Sequence, residues 1–255
     1  MRPVVLVPTY DEADNIEPVL RAIRAAAADA GIVVIDDASP DGTADVAERV
    51  GEELGGVDVL RRAGKDGLGN AYRAGFAHAI ARGHDVLVTI DADFSFDPAV
   101  IPTLLAGVEE GHDLVAGSRY IPGGSTPNWP LHRRALSRYG NRYTCWVLGL
   151  PLRDATSGFR AYRASVLEAI GYDTTRANGY AFMTELAFRV TAAGGRISEV
   201  PIEFRDRERG TSKMSGRIIV ESMARVTWWG GREALRRLRG RRRSERSAVA
   251  GSPGS

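Results

Sequence analysis

The sequence predicts an α/β fold with a mainly parallel sheet flanked by helices, on three observations. Short apolar runs rich in Val and Ile alternate with amphipathic stretches from residue 3 onward, the pattern of successive βαβ units. Each run is almost continuously apolar, as a strand covered on both faces must be. With 255 residues, 44% of them hydrophobic, the chain is large enough to bury the core of one such domain.

Taken in order, "PVVLVP" reads as the first strand and residues 14–29 as a helix, with Asp14 and Glu17 spaced as a capping box. "IVVIDD", a helix from about residue 43, "VDVLRR", a helix from about residue 69 and "DVLVTIDAD" continue the alternation. Asp97 before Pro98 is a helix N-cap followed by a first-turn proline. Beyond "LVAGSRY" a Pro/Gly-rich loop, "IPGGSTPNWP", leads to a helix, the segment "DATSGFRAYR", a helix near 182–193 and a last strand, "ISEVPIEF". No internal repeat is present.

Ligands of open parallel sheets bind beyond the carboxyl ends of the strands. There the chain places "PTYDEADNIE", "DDASPDGT" and "DADFSFDP". Asp91 and Asp93 are one residue apart at the end of an apolar run, so the strand period aims both carboxylates to one side, where they need a cation or a shared proton. Mg²⁺ held by one or two carboxylates and substrate phosphates resolves that conflict; a strand end with both acids solvated is the bland alternative. Asp36 and Asp37 either open the turn built by Pro40, Asp41 and Gly42 or supply an acceptor for a ribose or base.

Several classes of protein are excluded by composition. A lone Cys145 rules out an internal disulfide and reads as a packing residue in a reducing compartment. No apolar run approaches the roughly 18 residues of a membrane span, and the N-terminus turns acidic too early for a secretory signal, so the expected location is cytoplasmic. The net charge of +2 conceals a basic tail: residues 232–246 hold eight Arg against two Glu, a surplus of six that leaves the remainder at −4. That tail lacks the spaced aromatic residues of a nucleic-acid binder.

In order, "PTYDE", "IDDASPDGT", "GLGNAYRAGFAHA", "DADFSFDP", "GSRY" and "SGFRAYR" resemble family 2 glycosyltransferases of GT-A fold, most closely the polyprenol- and dolichol-phosphate mannose synthases, over about residues 3–215. The resemblance implies that Pro8, Tyr10, Glu12, Asp37, Lys65 and Ala92 bind the donor nucleotide. It implies that Asp91 and Asp93 hold Mg²⁺ or Mn²⁺ against the donor diphosphate. Ser95 stands where some relatives carry a glutamine ligand, and its hydroxyl is shorter and poorer. Arg119, Arg133 and Ser137 match the acceptor-phosphate positions, with Arg119 and Arg133 counted with the acid pair as catalytic; Arg134 is one register away. Arg205, Arg207 and Lys213 lie in a segment that closes over the phosphates, and Glu185 either matches a family acid or orients an acceptor-site arginine.

The activity so implied is inverting transfer of mannose from GDP-mannose to a polyprenyl monophosphate, giving a β-linked lipid phosphate sugar. A UDP donor of glucose or an aminosugar would preserve nearly every motif, and a non-catalytic nucleotide-binding module is the alternative of another class. Expected boundaries are 1–215 for the GT-A catalytic domain, 216–240 for an amphipathic helix at the membrane interface and 241–255 for a disordered tail. Ile218, Ile219, Val226, Trp228 and Trp229, beside dense arginines, have the composition of such a helix. The expected setting is the cytoplasmic face of a membrane, with a separate membrane-anchoring protein as a further partner.

Overall fold

The computed structural model describes residues 1–206 and 226–231. Its elements are β1 (Pro3–Thr9), α1 (Ala13–Ala26), β2 (Gly31–Asp36), α2 (Thr43–Leu54), β3 (Val57–Arg61), α3 (Leu68–Ala81), β4 (Val86–Thr89), α4 (Ile101–Glu109), β5 (Leu114–Ser118), α5 (Leu131–Leu148), β6 (Arg160–Arg163), α6 (Ala164–Ala169), α7 (Tyr180–Ala192) and β7 (Ile197–Pro201). The strands form one seven-stranded sheet in the order β3-β2-β1-β4-β6-β5-β7. All neighbours are parallel except β6, which runs antiparallel to both β4 and β5. The four-residue β6 comes from "RAYR", too short to register as a strand in the sequence pattern.

Alternation along the strands divides the core into two layers. Val4 and Leu6 of β1 face Tyr72 and Phe76 of α3, Cys145 of α5 and Phe182 and Leu186 of α7. Val5 and Val7 face the opposite way, with Ile16 and Leu20 of α1, Val50 of α2 and Leu104 of α4. Each fully buried Val, Leu or Ile contributes about 1.5–3 kcal/mol relative to exposure, and this two-sided burial fixes the register of the strand ends. At Gly75 a Cβ would lie 2.3 Å from Ile35 Cδ1, so glycine is what lets α3 pack directly on β2. Burial pushes the Cys145 thiol up to about 12, in keeping with a packing role.

Two local expectations are corrected. Helix α1 begins at Ala13 and has no side-chain cap bond; its entry is held from the neighbouring loop, where Asp41 accepts the Ala13 N–H (2.9 Å) and Thr43 Oγ1 the Glu12 N–H (3.0 Å). Glu17 instead pairs with Arg21 and Arg49 on the surface. Strand β4 ends at Thr89, so Asp91 and Asp93 lie in the turn beyond it and the strand period does not aim them. Asp97 does cap the short 3₁₀ turn that precedes α4, accepting the Ala99 N–H at 2.9 Å.

Candidate active site

Among the described residues, the three non-glycine residues with positive φ are Asp11 (59°), Ala38 (56°) and Phe94 (55°), and each sits in a loop after β1, β2 or β4. Left-handed backbone costs a residue with a Cβ roughly 1–3 kcal/mol and is retained where the surroundings impose it. The strained backbone is thus concentrated at the carboxyl edge of the sheet.

At the end of β2 the two adjacent acids separate in role. Asp36 is structural: it accepts from Thr9 Oγ1 (3.0 Å), Ser39 Oγ (2.6 Å) and the Ser39 N–H (2.9 Å). Asp37 is 6% exposed and pairs with the Arg62 guanidinium, which also reaches Asp66. Burial pushes the Asp37 carboxyl up, with Arg62 pulling against it. Nearby, Lys65 Nζ stands 3.5 Å from the centroid of the Tyr10 ring, so two of the expected donor residues meet as a cation–π pair. Pro8, half-buried in β1, lies opposite Ile35, and Glu12 opens α1 and accepts from Asn15 Nδ2 at 2.8 Å.

The acid turn is built by Phe94. Its positive φ folds the chain so that Asp93 Oδ1 accepts the Ser95 N–H (3.0 Å), while Ala92 and Phe96 are buried as anchors on either side. Ser95 Oγ is buried and has no hydrogen-bond partner, as is the Tyr72 hydroxyl, on which Asp91 and Asp93 both act electrostatically. Burial first and the Asp91 charge second push that phenol well above its ordinary value. Gly158 backs the turn, where a Cβ would lie 3.7 Å from both Asp91 carboxylate oxygens. Two carboxylates and an unpartnered hydroxyl are hard oxygen donors suited to Mg²⁺ or Mn²⁺. Among the described residues no three His, Cys, Asp or Glu side chains gather as a complete metal-ligating group.

Arg119, just past β5, is 9% exposed and is held by Asp154 through two forked bonds, Nε to Oδ2 at 2.7 Å and Nη2 to Oδ1 at 2.8 Å. Thr156 Oγ1 accepts a further bond at 2.7 Å. Burial opposes the charge on Asp154, but Arg119 and neighbouring N–H groups more than reverse this and hold its carboxyl below the ordinary value. Arg133, on the first turn of α5, lies 4.0 Å from the Trp129 ring centroid and donates to Asp206 at 2.9 Å. Arg119 lies 5.7 Å from the same ring, so the two expected acceptor arginines share one indole. Arg134, at the next position of the helix, is exposed, so the arginine that joins this cluster is Arg133. Ser137 joins it through Tyr120, with 2.6 Å between the two hydroxyls.

Aromatic packing joins the two halves. Phe96 of the acid turn meets Phe204 (5.3 Å), and Phe204 meets Trp129 (5.4 Å). Arg205 donates its N–H to Ser95 O at 3.1 Å, lying over the acid turn, while its side chain pairs with Glu203. Arg207 and Lys213 lie outside the described residues. Glu185 serves another loop: it accepts the Arg176 and Ala177 N–H groups and pairs with Arg189, fixing the segment that packs on Gly67 and Gly69 at the start of α3. Sequence reading misses Arg62, Trp129, Asp154 and Asp206, because each works through a partner distant in the chain.

Fold and site together define a glycosyltransferase. Residues 4–171 match the model for glycosyl transferase family 2, and the chain belongs to that family. It is 47% identical over 230 residues to an undecaprenyl-phosphate mannosyltransferase of Micrococcus luteus, covering 90% of this chain and 94% of that protein. A polyprenol monophosphomannose synthase of Mycolicibacterium smegmatis is 43% identical over 240 residues, with 94% and 91% covered. Among solved structures, the fold is shared with mannosyl-3-phosphoglycerate synthase from Rubrobacter xylanophilus (TM-score 0.62, 21% identity, 95% of this chain and 75% of that one). It is also shared with glucosyl-3-phosphoglycerate synthase from Mycobacterium tuberculosis in complex with Mn²⁺, UDP and glucosyl-3-phosphoglycerate (TM-score 0.60, 22% identity, 90% and 78% covered).

Proposed function

We propose that this chain transfers mannose from GDP-mannose to a polyprenyl monophosphate, with inversion at the anomeric carbon. The observation that carries the acceptor assignment is the pair Arg119 and Arg133 on Trp129, joined to the acid turn through Phe204. The names of the two curated relatives agree with it. Arginine forks suit phosphate oxygens. A phosphate monoester is already anionic near neutral pH, so the nucleophile needs orientation and no general base. The task of Arg119, Arg133 and Ser137 is therefore to place one phosphate oxygen in line with the anomeric carbon.

On the donor side, Asp37 accepts from the base or ribose end, Tyr10, Lys65, Pro8, Glu12 and Ala92 line the nucleotide, and Asp91 and Asp93 hold Mg²⁺ or Mn²⁺ with Ser95 alongside. The metal, when bound, neutralises charge on the departing diphosphate. Arg205, whose N–H reaches Ser95 O, adds positive charge over the phosphates. In-line displacement on an α-linked donor leaves a β-linked product.

A lipid acceptor requires access to a membrane, and α5 supports that reading. Leu131, Leu136, Tyr139 and Trp146 are 79%, 58%, 71% and 79% exposed, and Arg134, Arg138 and Arg142 are exposed among them, with no acidic residue in the helix. Residues 226–231 run beside it: Val226 is buried, Trp229 stacks on Phe188, Gly230 abuts Val147 and Trp228 is 57% exposed. The rest of 216–240, and all of 241–255, lies outside the described residues. Among the described residues no helix is long and apolar enough to cross a membrane. The proposed setting is peripheral, on the cytoplasmic face, with anionic headgroups contributing about 1 kcal/mol per nearby arginine; a membrane-anchoring protein would be a further partner.

Calorimetric titration with GDP-mannose, GDP, UDP-glucose and UDP, each with and without Mg²⁺ or Mn²⁺, tests the donor assignment. Tight metal-dependent binding of the GDP ligands is the expected result. Preference for the UDP ligands would transfer the reading to a glucosyl or aminosugar donor.

A further inference from the structure

The bulkiest fully buried side chain among the described residues is a charged one, Arg160 of β6. A guanidinium does not lose its proton in a protein, and burying that charge carries a desolvation penalty that an aliphatic residue would avoid. Its Nε, Nη1 and Nη2 donate to Ser157 O, Met183 O and Ala155 O, each at 2.8 Å, and none of these acceptors is a carboxylate. A charge kept in the core at that penalty calls for something that the three bonds organise.

Two of the three carbonyls belong to the loop between α5 and β6, and the third belongs to α7. In that loop Asp154 grips Arg119. Four residues on, Gly158 stands against the Asp91 carboxylate, and its carbonyl accepts Thr89 Oγ1 of β4 at 2.6 Å. Arg160 also pairs with Thr89 across the β4–β6 ladder, two residues before Asp91. Through its side chain Arg160 thus touches the loop that holds Arg119, and through its backbone the strand that leads to Asp91.

We propose that Arg160 is a positioning residue for glycosyl transfer: it pins residues 154–158 so that Asp154 holds Arg119 at a fixed place relative to the acid turn. This rests on the reading of Arg119 as an acceptor-phosphate residue. Its loss should reach the reaction through Arg119 and leave donor binding alone.

The test is a double-mutant cycle on the full chain with Arg160→Lys, Arg119→Lys and the pair, assayed with whichever sugar nucleotide the unaltered chain uses. A different donor then changes the substrate of the assay and leaves the logic of the cycle intact. Arg160→Lys keeps the charge and loses most of the fork. It should lower kcat by about ten- to a hundredfold, as expected of sub-ångström misplacement, with the KM for sugar nucleotide within about twofold and a cooperative melt retained. In the Arg119→Lys background the same change should cost little more, since residues acting through one another are not additive. Losses that multiply, or a kcat unchanged in Arg160→Lys, would overturn the proposal. If the lysine is not accommodated, Arg160→Gln, which removes the charge and keeps an amide donor, enters the same cycle. Should neither variant melt cooperatively, Arg160 is a folding residue and the proposal falls.

Discussion

Arg119 and Asp154 meet as a forked, buried ion pair with bonds of 2.7 and 2.8 Å, across 35 positions of sequence. The guanidinium is thereby fixed in place, and its rotamer entropy is already lost. Rigid placement of charge is what electrostatic catalysis requires. Asp154 is held below its ordinary 3.8, so its stabilisation is complete above that value and is lost as pH falls through the lower folded-state value.

Asp154→Asn should accordingly destabilise the protein by about 3–5 kcal/mol at neutral pH, because a buried guanidinium is left uncompensated. Urea unfolding from pH 7 to pH 3 should show the gap to the unaltered chain narrowing below about pH 4. A gap of constant size would contradict the buried pair.

Asp93→Ala removes one acid of the turn and the acceptor of the Ser95 N–H. Transfer should fall by at least about a thousandfold, roughly 4 kcal/mol of lost charge stabilisation, with the melting transition still cooperative. Full activity in a folded variant would sink the metal-binding role.

Arg133→Ala should raise the KM for lipid phosphate by about 10- to 100-fold, the worth of a hydrogen bond between charged groups, while the KM for sugar nucleotide changes little. Initial-rate kinetics with each substrate varied would check it. Equal losses on both sides would remove Arg133 from the acceptor site.

The exposed face of α5 gives a prediction independent of chemistry. Leu136→Glu with Trp146→Glu should weaken binding to anionic lipid vesicles by at least about tenfold, since each large apolar side chain transferred from water is worth about 1.5–3 kcal/mol. Stability should shift by no more than about 0.5 kcal/mol, both positions being exposed. Sedimentation with vesicles provides the measurement, and undiminished binding would assign membrane contact elsewhere.

Legibility in the sequence follows from which interactions are local. Strands β1, β2 and β4 announce themselves because burial on both faces makes them continuous apolar runs, and the acids after them stand out against that background. Antiparallel β6 is hidden, since its four residues include two arginines and it owes its place to pairing with β4 and β5. Strand period misplaces the aim of Asp91 and Asp93 because Phe94 in left-handed backbone, and no strand, shapes their turn. Asp154, Trp129 and Asp206 carry no local signal at all; they matter through Arg119 and Arg133, which the chain brings to them only on folding. Likewise only packing shows which apolar residues of α5 remain outside.

Mannosyl transfer itself can be read by incubating the full chain with undecaprenyl phosphate, Mg²⁺ and either GDP-[¹⁴C]mannose or UDP-[¹⁴C]glucose, then counting label extracted with the lipid. The expected product is a labelled lipid from the GDP sugar alone, dependent on both the metal and the lipid phosphate. Label carried from the UDP sugar, or no lipid product from either donor, would contradict the proposed function.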